Sequence, residues 1–462
     1  MKKIASIVLA VAAVSMLAIG CSKKSGGASG ASGSSSFAKQ KKQKDPATNK
    51  VFDFDKMEIV VLDWWSDPDA PAASKQQEDE KAWKQWVCDT YNVSIVQKSS
   101  GGWGGHPEIV QNFCTTGGDE NYIFVNDGRS FPTGMKNNLF WDLSQFKVDW
   151  NKAKWNQGVK KQTTKGSAFY GFNPAMPEPR NGVFFNKRIL EENGYTADYI
   201  YDLQKEGKWT WDTFEEICKA LTKDTDNDGI IDQYAMAAFN SEFSFVALDS
   251  NNAAIILPDA EGKYQNVANS ENAMEAWNWI QHMFKEYQMP QPEGSNWDWF
   301  YAAYINGEAA FAVDQEYLAM PGNRFHDNMK DDYGFVCFPL GPKGTTYRTI
   351  NNDNIFTIPA CYDHARAEKI MQAYDLWSDP VPGYNDPESW KAGYYAAFSD
   401  ERAVDETLQH MVDNPNPRFD VVVPGLNSSE ITWGICGGYQ TPQEAYEALA
   451  PSWQAILDDC NK

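Results

Sequence analysis

The apolar positions after residue 56 predict an alternation of strands and helices. Three mainly apolar runs have the length of buried strands: Met57–Leu62, Val93–Val96 and Tyr122–Val125. Between the first two runs, Trp83, Trp86 and Tyr91 recur at helical spacing, and a second helical stretch precedes the third run. This order of strand, helix, strand, helix and strand predicts an α/β protein that begins with a doubly wound sheet.

Aromatic and polar side chains follow each of the three predicted strands. The first run ends at Trp64 and Trp65, a glycine-rich segment around Trp103 follows the second, and Asp127 and Arg129 follow the third. In open α/β sheets, ligands bind beyond the carboxyl ends of the strands. We therefore expect these residues to line a ligand site, and ordinary core packing is the alternative for each tryptophan.

Helical periodicity continues in the later part of the chain. Two apolar faces have helical spacing: Phe214, Ile217, Cys218 and Leu221, and then Met274, Trp277, Ile280 and Phe284. The segment Thr441–Glu444 reads as a capping box with proline at the first helical position, so a last helix begins there. This pattern assigns Trp277 and Trp453 to the core.

The first residues have the layout of an export signal. Lys2 and Lys3 precede an uncharged apolar stretch that is too short to remain as a membrane span. The segment Leu17–Cys21 resembles a bacterial lipobox, which implies a signal peptide over 1–20 and a lipid-modified Cys21. Residues 21–50 are rich in Ser, Gly, Ala and Lys and predict a flexible tether. We expect a lipoprotein held at the membrane, and a plain secretory signal is the alternative.

Charge and composition narrow the class of protein further. The 462 residues carry a formal net charge of -22, which repels nucleic acid. The body after the tether is longer than a single core usually supports, so we expect two domains. The chain has 18 tryptophans, more than core packing alone explains. Its eight cysteines are widely spaced without a CxxC pair, which indicates neither a zinc site nor a disulfide framework.

Residues 224–232 carry oxygen donors at the spacing of an EF-hand-type calcium loop. Aspartates stand at loop positions 1, 3, 5 and 9, and a backbone carbonyl is offered at position 7; the residues concerned are Asp224, Asp226, Asp228, Asp232 and, for the carbonyl, Ile230. Gly229 provides the turn, whereas Ala235 replaces the usual bidentate glutamate. We expect a structural Ca²⁺ whose shell is completed by another carboxylate or by water, and a solvated acidic turn is the alternative.

Motif segments are spread over the whole body of the chain. They are Tyr170–Phe172 with Gly182–Lys187, Trp209–Phe214, Asn306–Phe311, and Phe338–Gly344 with Ile355–Pro359. In their order and spacing these segments resemble the family 1 extracellular solute-binding proteins of bacterial ABC transporters, the family that includes maltose-binding protein. The family's third crossing between lobes falls near residues 405–415, where this sequence offers only a helical run followed by Asn414–Pro417.

The resemblance implies a two-lobed periplasmic-binding-protein-like α/β fold of type II. Each lobe would be a doubly wound mixed sheet flanked by helices, and hinge crossings would join the lobes. The implied first lobe is 51–171 with 352–410, and the implied second lobe is 172–351 with 411–462.

The resemblance also implies candidate binding residues in the second lobe. Trp433 falls where the family offers a stacking tryptophan, and Tyr317 occupies a similar place after Asp314 and Glu316. Arg180 lies beside the first crossing and could form paired hydrogen bonds to neighbouring hydroxyls. Sugar receptors stack aromatic rings on the apolar faces of sugars and direct charged groups at their hydroxyls. Phe243 is a further candidate for ligand contact.

These observations predict an extracytoplasmic solute-binding component of an ABC importer, located in the cell envelope. The expected ligand is an oligosaccharide or other small sugar, and the expected partner is a membrane permease; a monomer is expected. Five isolated histidines, without an HExxH, GxSxG or phosphate-binding motif, argue against an enzyme. The alternatives are a surface glycan-binding lipoprotein, a glycoside hydrolase with paired carboxylates, and a receptor for a peptide or polyol.

Overall fold

The computed structural model describes residues 37–72, 74–351, 353–384, 386 and 388–462. The predicted signal peptide and Cys21 lie outside these residues. The strands are β1 Met57–Asp63, β2 Val93–Ser99, β3 Asn121–Asn126, β4 Thr164–Lys165, β5 Ala168–Phe169, β6 Asn181–Asn186, β7 Tyr234–Met236, β8 Ile256–Pro258, β9 Tyr264–Asn266, β10 Ala309–Gln315, β11 Tyr333–Cys337, β12 Thr349–Asn351, β13 Ile355–Thr357 and β14 Pro415–Pro417.

The helices are α1 Lys75–Tyr91, α2 His106–Thr116, α3 Phe131–Lys136, α4 Gln157–Gln162, α5 Lys187–Glu192, α6 Ala197–Lys205, α7 Trp211–Leu221, α8 Asn240–Ser250, α9 Glu271–Tyr287, α10 Trp299–Ile305, α11 Arg324–Asn328, α12 His364–Trp377, α13 Lys391–Tyr394, α14 Gln409–Asp413, α15 Glu430–Cys436 and α16 Pro442–Cys460. Short 3₁₀ turns occupy Leu143–Gln145, Glu316–Ala319 and Asp420–Val422, and a π-helical segment spans Ala403–Leu408. Within the described part of the chain, no helix combines the length and the apolar character that a membrane span needs.

The described chain divides into two compact units. The first unit takes in the chain up to Met176 together with Asp353–Asp386, and the second comprises Pro177–Asn352 and Pro387–Lys462. Each unit has its own sheet, so the α/β class and the division into two parts that the sequence predicted are confirmed.

The sheet of the first unit has the order β13-β3-β1-β2. Strands β2 and β3 both pair with β1 in parallel, whereas β13 pairs with β3 antiparallel. The three predicted apolar runs are these parallel strands. Helices α1 and α12 pack together and cover the sheet with a cluster of buried aromatic and aliphatic side chains, among them Trp86, Tyr374 and Trp377. Ser74 caps the start of α1 because its side chain accepts the backbone N–H of Gln77.

The sheet of the second unit has the order β11-β6-β10-β7. Strand β10 pairs in parallel with β7 and antiparallel with β6, and β6 in turn pairs antiparallel with β11. All six residues of β6 are buried, as expected for a strand covered on both faces. Trp277 and Trp453 are buried, as their helical positions predicted, and the capping box of Thr441 and Glu444 is present.

The domain boundaries predicted from the resemblance need correction after β13. We expected residues 352–410 in the first lobe, but the chain from Pro387 onward belongs to the second unit. The Thr407 hydroxyl donates to the backbone oxygen of Phe335 at 3.0 Å, and the Tyr333 hydroxyl donates to that of Ala397 at 3.1 Å. The helical run 403–408 therefore packs on β11 of the second unit. Its apolar periodicity predicts a helix but does not specify which of the two sheets the helix covers. The first boundary falls at Met176, five residues later than predicted.

Candidate functional site

The predicted site residues of the first unit lie along one edge of its sheet. Because β1, β2 and β3 are parallel, their carboxyl ends meet there, and the residues that follow them are neighbours. The structure brings together Trp64 with Trp65, and Trp103 with Asp127 and Arg129.

Trp103, Asp127 and Arg129 form one hydrogen-bonded group, which we call the tryptophan triad. The indole N–H of Trp103 donates to Asp127 Oδ2 at 3.1 Å, and Arg129 Nε donates to the same oxygen at 2.7 Å. Arg129 Nη1 donates to the backbone oxygen of Trp103 at 2.9 Å, and the guanidinium carbon lies 3.6 Å from the centre of the indole ring. The ring is thus fixed in place while 47% of the residue stays exposed. Such a fixed ring offers an apolar face to a ligand at low entropic cost.

Trp64 and Trp65 are only half-buried and pack on the core of the first unit. Their rings lie edge to face, 4.8 Å apart, and Trp64 is 5.2 Å from the ring of His106. The buried carboxylate of Asp63 accepts the backbone N–H of Trp65 at 3.0 Å, which fixes the turn after β1. The indole nitrogen of Trp65 is buried with no acceptor among the described residues. Both rings are therefore partly structural.

His106 forms a pair with Ser100 that differs from a catalytic arrangement. Ser100 Oγ lies 2.8 Å from His106 Nδ1, but the other ring nitrogen bonds the backbone oxygen of Val125 at 2.6 Å, where a hydrolase places a carboxylate. The histidine is fully buried, and burial lowers its pKa. The hydrogen bond from His106 to Val125 connects α2 to β3, so the pair has a structural role.

The predicted site residues of the second unit gather at the carboxyl ends of β7 and β10. Helix α8 begins four residues after β7 and places Glu242 in its first turn. Strand β10 ends at Asp314 and Gln315, opposite Gly182 and Asn181 of the antiparallel β6. Four acids lie in or next to these elements as two pairs, Glu242 with Asp314 and Glu178 with Glu316, and we call the four the carboxyl cluster.

Glu242 and Asp314 are joined through Gln315 and Asn181. The Asn181 amide donates to Glu242, the Gln315 side-chain amide donates to Glu242 Oε1 at 3.3 Å, and the Gln315 backbone N–H donates to Asp314 Oδ1 at 2.7 Å. Asp314 is 3% exposed. Burial and the neighbouring Glu242 raise the pKa of Asp314 to about 8. The pair therefore keeps a proton near neutral pH.

Arg180 is the cation bonded into the carboxyl cluster. It forms an ion pair with Glu178, and its Nη1 donates to Gln315 Oε1 at 3.1 Å. Glu316 is fully buried, and neither of its carboxyl oxygens has a hydrogen-bond partner among the described residues. Burial raises the pKa of Glu316 well above its usual range, despite the opposing effect of Arg180.

Two tyrosines border the carboxyl cluster. Tyr317 lies in the 3₁₀ turn after β10, and its pKa is raised by burial and by the charge of Asp314. Tyr301 of α10 faces Asp314 with its hydroxyl, while the guanidinium carbon of Arg324 lies 4.4 Å from the centre of its ring. Both tyrosines are almost completely buried, so each presents little more than a ring edge or a hydroxyl.

The remaining two candidates of the second unit have different surroundings. Trp433 on α15 is 57% exposed, and the preceding Thr432 contacts Ser241 at 3.3 Å, so α15 lies beside the start of α8. Phe243 is fully buried and packs on Trp279 and Phe338. Phe243 is a core residue, and its predicted role in ligand contact is wrong because its side chain points into the hydrophobic interior.

The predicted calcium loop is folded as a tight turn with three clustered acids. Asp224, Asp226 and Asp232 each place a carboxylate oxygen within 4.8 Å of the others. The Asp224 carboxylate accepts the backbone N–H groups of Asn227 and Gly229, at 2.6 and 2.7 Å. The Asp228 carboxylate instead accepts the N–H of Ile230 at 2.8 Å. Three of the four predicted aspartates therefore converge, and this donor set fits an oxygen-seeking cation such as Ca²⁺.

Sequence reasoning missed Asn181, Glu242 and Tyr301. Glu242 stands immediately before Phe243, and adjacent positions of a helix point in different directions. Helical periodicity could therefore have assigned Phe243 to the core and Glu242 to the site. Asn181 and Tyr301 depend on the pairing of β6 with β10 and on the docking of α10, and no local signal in the sequence marks either.

Each unit thus carries ring and polar groups at the carboxyl ends of its parallel strands, the arrangement of a ligand-binding α/β protein. The sequence profile of the bacterial extracellular solute-binding proteins matches residues 107–375. The chain belongs to this family, and it is an extracytoplasmic protein. A search of curated protein sequences found no match.

Solved structures of similar fold cover most of the chain. The substrate-binding protein Lmo0181 from Listeria monocytogenes, in complex with cycloalternan, is 18% identical and has a TM-score of 0.55 over 88% of this chain and 98% of its own. The cyclic alpha-maltosyl-1,6-maltose binding protein from Arthrobacter globiformis is 13% identical, with a TM-score of 0.61 over 87% and 99%. UgpB from Mycobacterium tuberculosis, with glycerophosphocholine, is 16% identical, with a TM-score of 0.55 over 78% and 90%. These likenesses confirm the two-lobed binding-protein fold.

Proposed function

We propose that this protein captures a carbohydrate, with an oligosaccharide as the expected ligand, and delivers it to the permease of an ABC importer. The tryptophan triad carries the proposal. An exposed indole held by a stacked guanidinium offers one apolar face, and the charged groups beside it offer hydrogen bonds. Sugars require this combination because they present apolar C–H faces bordered by hydroxyls.

The second unit supports the same ligand class. Its carboxyl cluster, with Arg180 and the two tyrosines, offers several acceptors and donors within one small region, and Trp433 adds an exposed ring. Several structural neighbours bind oligosaccharides, such as cycloalternan and maltotetraose, although one binds glycerophosphocholine.

We also propose attachment to the membrane through a lipid on Cys21, followed by the tether up to residue 50. Two or more acyl chains hold a protein stably at a bilayer, whereas one does so only marginally. Replacement of Cys21 by Ser should move the protein from the membrane fraction to the medium or periplasm. An unchanged membrane fraction would contradict a lipid anchor on this residue.

A structural Ca²⁺ in the 224–232 loop is a further part of the proposal. The three convergent carboxylates support it, and the ion would fasten the connection between α7 and β7. It would take no part in chemistry.

The test of the proposed function is a thermal-shift screen of the purified protein against mono- and oligosaccharides, peptides and polyols. A ligand at a hundredfold over its dissociation constant adds about 2.7 kcal/mol of stability. A shift confined to related saccharides is the expected result. Shifts with peptides or polyols alone would overturn the sugar assignment, and release of shorter sugars during incubation would favour a glycoside hydrolase.

A further inference from the structure

We propose that the carboxyl cluster of the second unit takes a cationic amino group, so that the captured saccharide contains an amino sugar. This inference rests on the proposed function and names the substrate class more narrowly. It concerns Glu242 and Asp314, which lie side by side where α8 begins and β10 ends.

The charges of the region favour a cationic partner. The Arg180 guanidinium acts on Glu316 and is already paired with Glu178, and it is not among the charges that act on Asp314. The nearby Arg324 lowers the pKa of Asp314, but its guanidinium is shared with Asp298 at 3.0 Å. Buried carboxylates without balancing cations are costly, so these acids hold protons until a ligand supplies the positive charge.

Asp314 is poised for such a ligand. It is almost completely buried, and its Oδ2 has no fully formed hydrogen bond among the described residues, although the Tyr301 hydroxyl faces the carboxyl. The fully buried Glu316, two residues further on, also lacks partners for both oxygens among the described residues. The unpartnered oxygen of Asp314 indicates that an additional donor belongs beside Asp314 and Glu242, and Glu316 has the same need in its own surroundings.

An ammonium group meets this need better than a neutral hydroxyl. A hydroxyl leaves the pair of Glu242 and Asp314 holding its proton, because burial still opposes two negative charges. An ammonium group donates up to three hydrogen bonds and supplies a positive charge, so both acids ionise and bond it. Tyr301 and Tyr317 border the same place, and a hydroxyl oxygen can accept a hydrogen bond from the ammonium group.

The number of protons released on binding distinguishes charge pairing with the acids from packing alone. The groups that face Asp314 are Glu242 of α8, Tyr301 of α10, Arg324 of α11 and Tyr317 of the following turn. Because Asp314 has a pKa of about 8 without ligand, it holds a proton at pH 5.5, where the amine of a glucosamine oligomer already carries a proton of its own. Binding of an ammonium group should release about one proton per ligand, whereas a neutral saccharide should release none.

The experiment is isothermal titration calorimetry at pH 5.5, where the glucosamine amines are charged before binding, with oligomers of glucosamine, N-acetylglucosamine and glucose of equal length. Buffers of different ionisation enthalpy give the number of protons released. The glucosamine oligomer should bind at least tenfold more tightly than the other two, and about one proton should leave. A tenfold difference is within the range of one hydrogen bond to a charged group.

Two variants and one control complete the design. Asp314→Asn and Glu242→Gln should each remove the preference and the proton release, and a circular-dichroism melt checks that both fold. Glu308→Gln, at an exposed position just before β10, should keep both effects.

Each remaining outcome has a distinct meaning. Binding of neutral oligomers without preference for glucosamine overturns this inference and leaves the sugar receptor intact. A preference without proton release, or one that survives in Asp314→Asn, also overturns it. Absence of binding by all three oligomers, with a peptide or polyol bound instead, overturns the sugar assignment together with the inference.

Discussion

The guanidinium carbon of Arg129 lies 3.6 Å from the centre of the Trp103 ring, and both side chains bond the same carboxylate oxygen of Asp127. One face of the indole is therefore occupied by the protein, and the exposed remainder is available to a ligand. We expect Trp103→Ala to weaken saccharide binding about tenfold to a hundredfold, as loss of an aromatic anchor commonly does. Calorimetric titration measures the change.

Trp297→Ala is the matched control for this prediction, since Trp297 is also an exposed tryptophan, 58% accessible, but contacts Phe239 and Phe300. It should leave the affinity within twofold. Equal affinity in the wild type and Trp103→Ala would remove the tryptophan triad from the binding site.

The burial of Asp314 makes a prediction about stability and pH. Its pKa lies at about 8 in the folded protein, raised by burial and by Glu242 from its ordinary value of 3.8, so between these values the folded state binds more protons than the unfolded state. The free energy of unfolding should therefore fall as pH rises through this window, by an amount on the order of a few kcal/mol. Urea denaturation of the ligand-free protein at pH 5, 7 and 8.5 measures the fall.

In Asp314→Asn the decline between pH 5 and 8.5 should be smaller, because the amide does not ionise. The exposed Asp327→Asn, whose carboxylate has a lowered pKa beside His326, should keep the decline. An identical dependence of the free energy of unfolding on pH in the wild type and Asp314→Asn would show that Asp314 does not cause it.

Phe243 provides a test of the corrected assignment. Because its ring is fully buried beside Trp279, Phe284 and Phe338, Phe243→Ala should lower the free energy of unfolding by about 3–5 kcal/mol. The folded fraction should bind the ligand with nearly the wild-type dissociation constant. A large loss of affinity with little loss of stability would return Phe243 to the binding site.

The calcium proposal predicts a rise in melting temperature when Ca²⁺ replaces a chelator, since an ion that binds only the folded state stabilises it. Asp224→Asn should abolish the rise because Asp224 is one of the three convergent acids. Asp259→Asn is the control, since Asp259 holds an exposed turn through the N–H groups of Glu261 and Lys263. A calcium response that persists in Asp224→Asn would place the ion elsewhere.

Much of the first unit could be predicted from the sequence. The apolar runs of β1, β2 and β3 alternate with helical stretches, which indicates a parallel sheet, and parallel pairing then places Trp103, Asp127 and Arg129 at one edge. Nothing in the sequence gives the geometry of their contact, because the stacking of Arg129 on Trp103 depends on the conformation of two loops.

The second unit was less predictable for a physical reason. Asn181 and Asp314 are neighbours only because β6 and β10 pair antiparallel across a long stretch of sequence, and no local propensity encodes that pairing. Similarly, the apolar face of residues 403–408 can pack on more than one sheet. The resemblance alone placed these residues in the first lobe, because the chain has no recognisable motif at the third crossing.

Equilibrium titration of the purified protein with the saccharide selected by the thermal-shift screen tests the central claim most directly. We expect one ligand bound per chain, with an affinity that Trp103→Ala weakens and Trp297→Ala does not. No saturable binding of any saccharide, with saturable binding of a peptide or polyol, would contradict it.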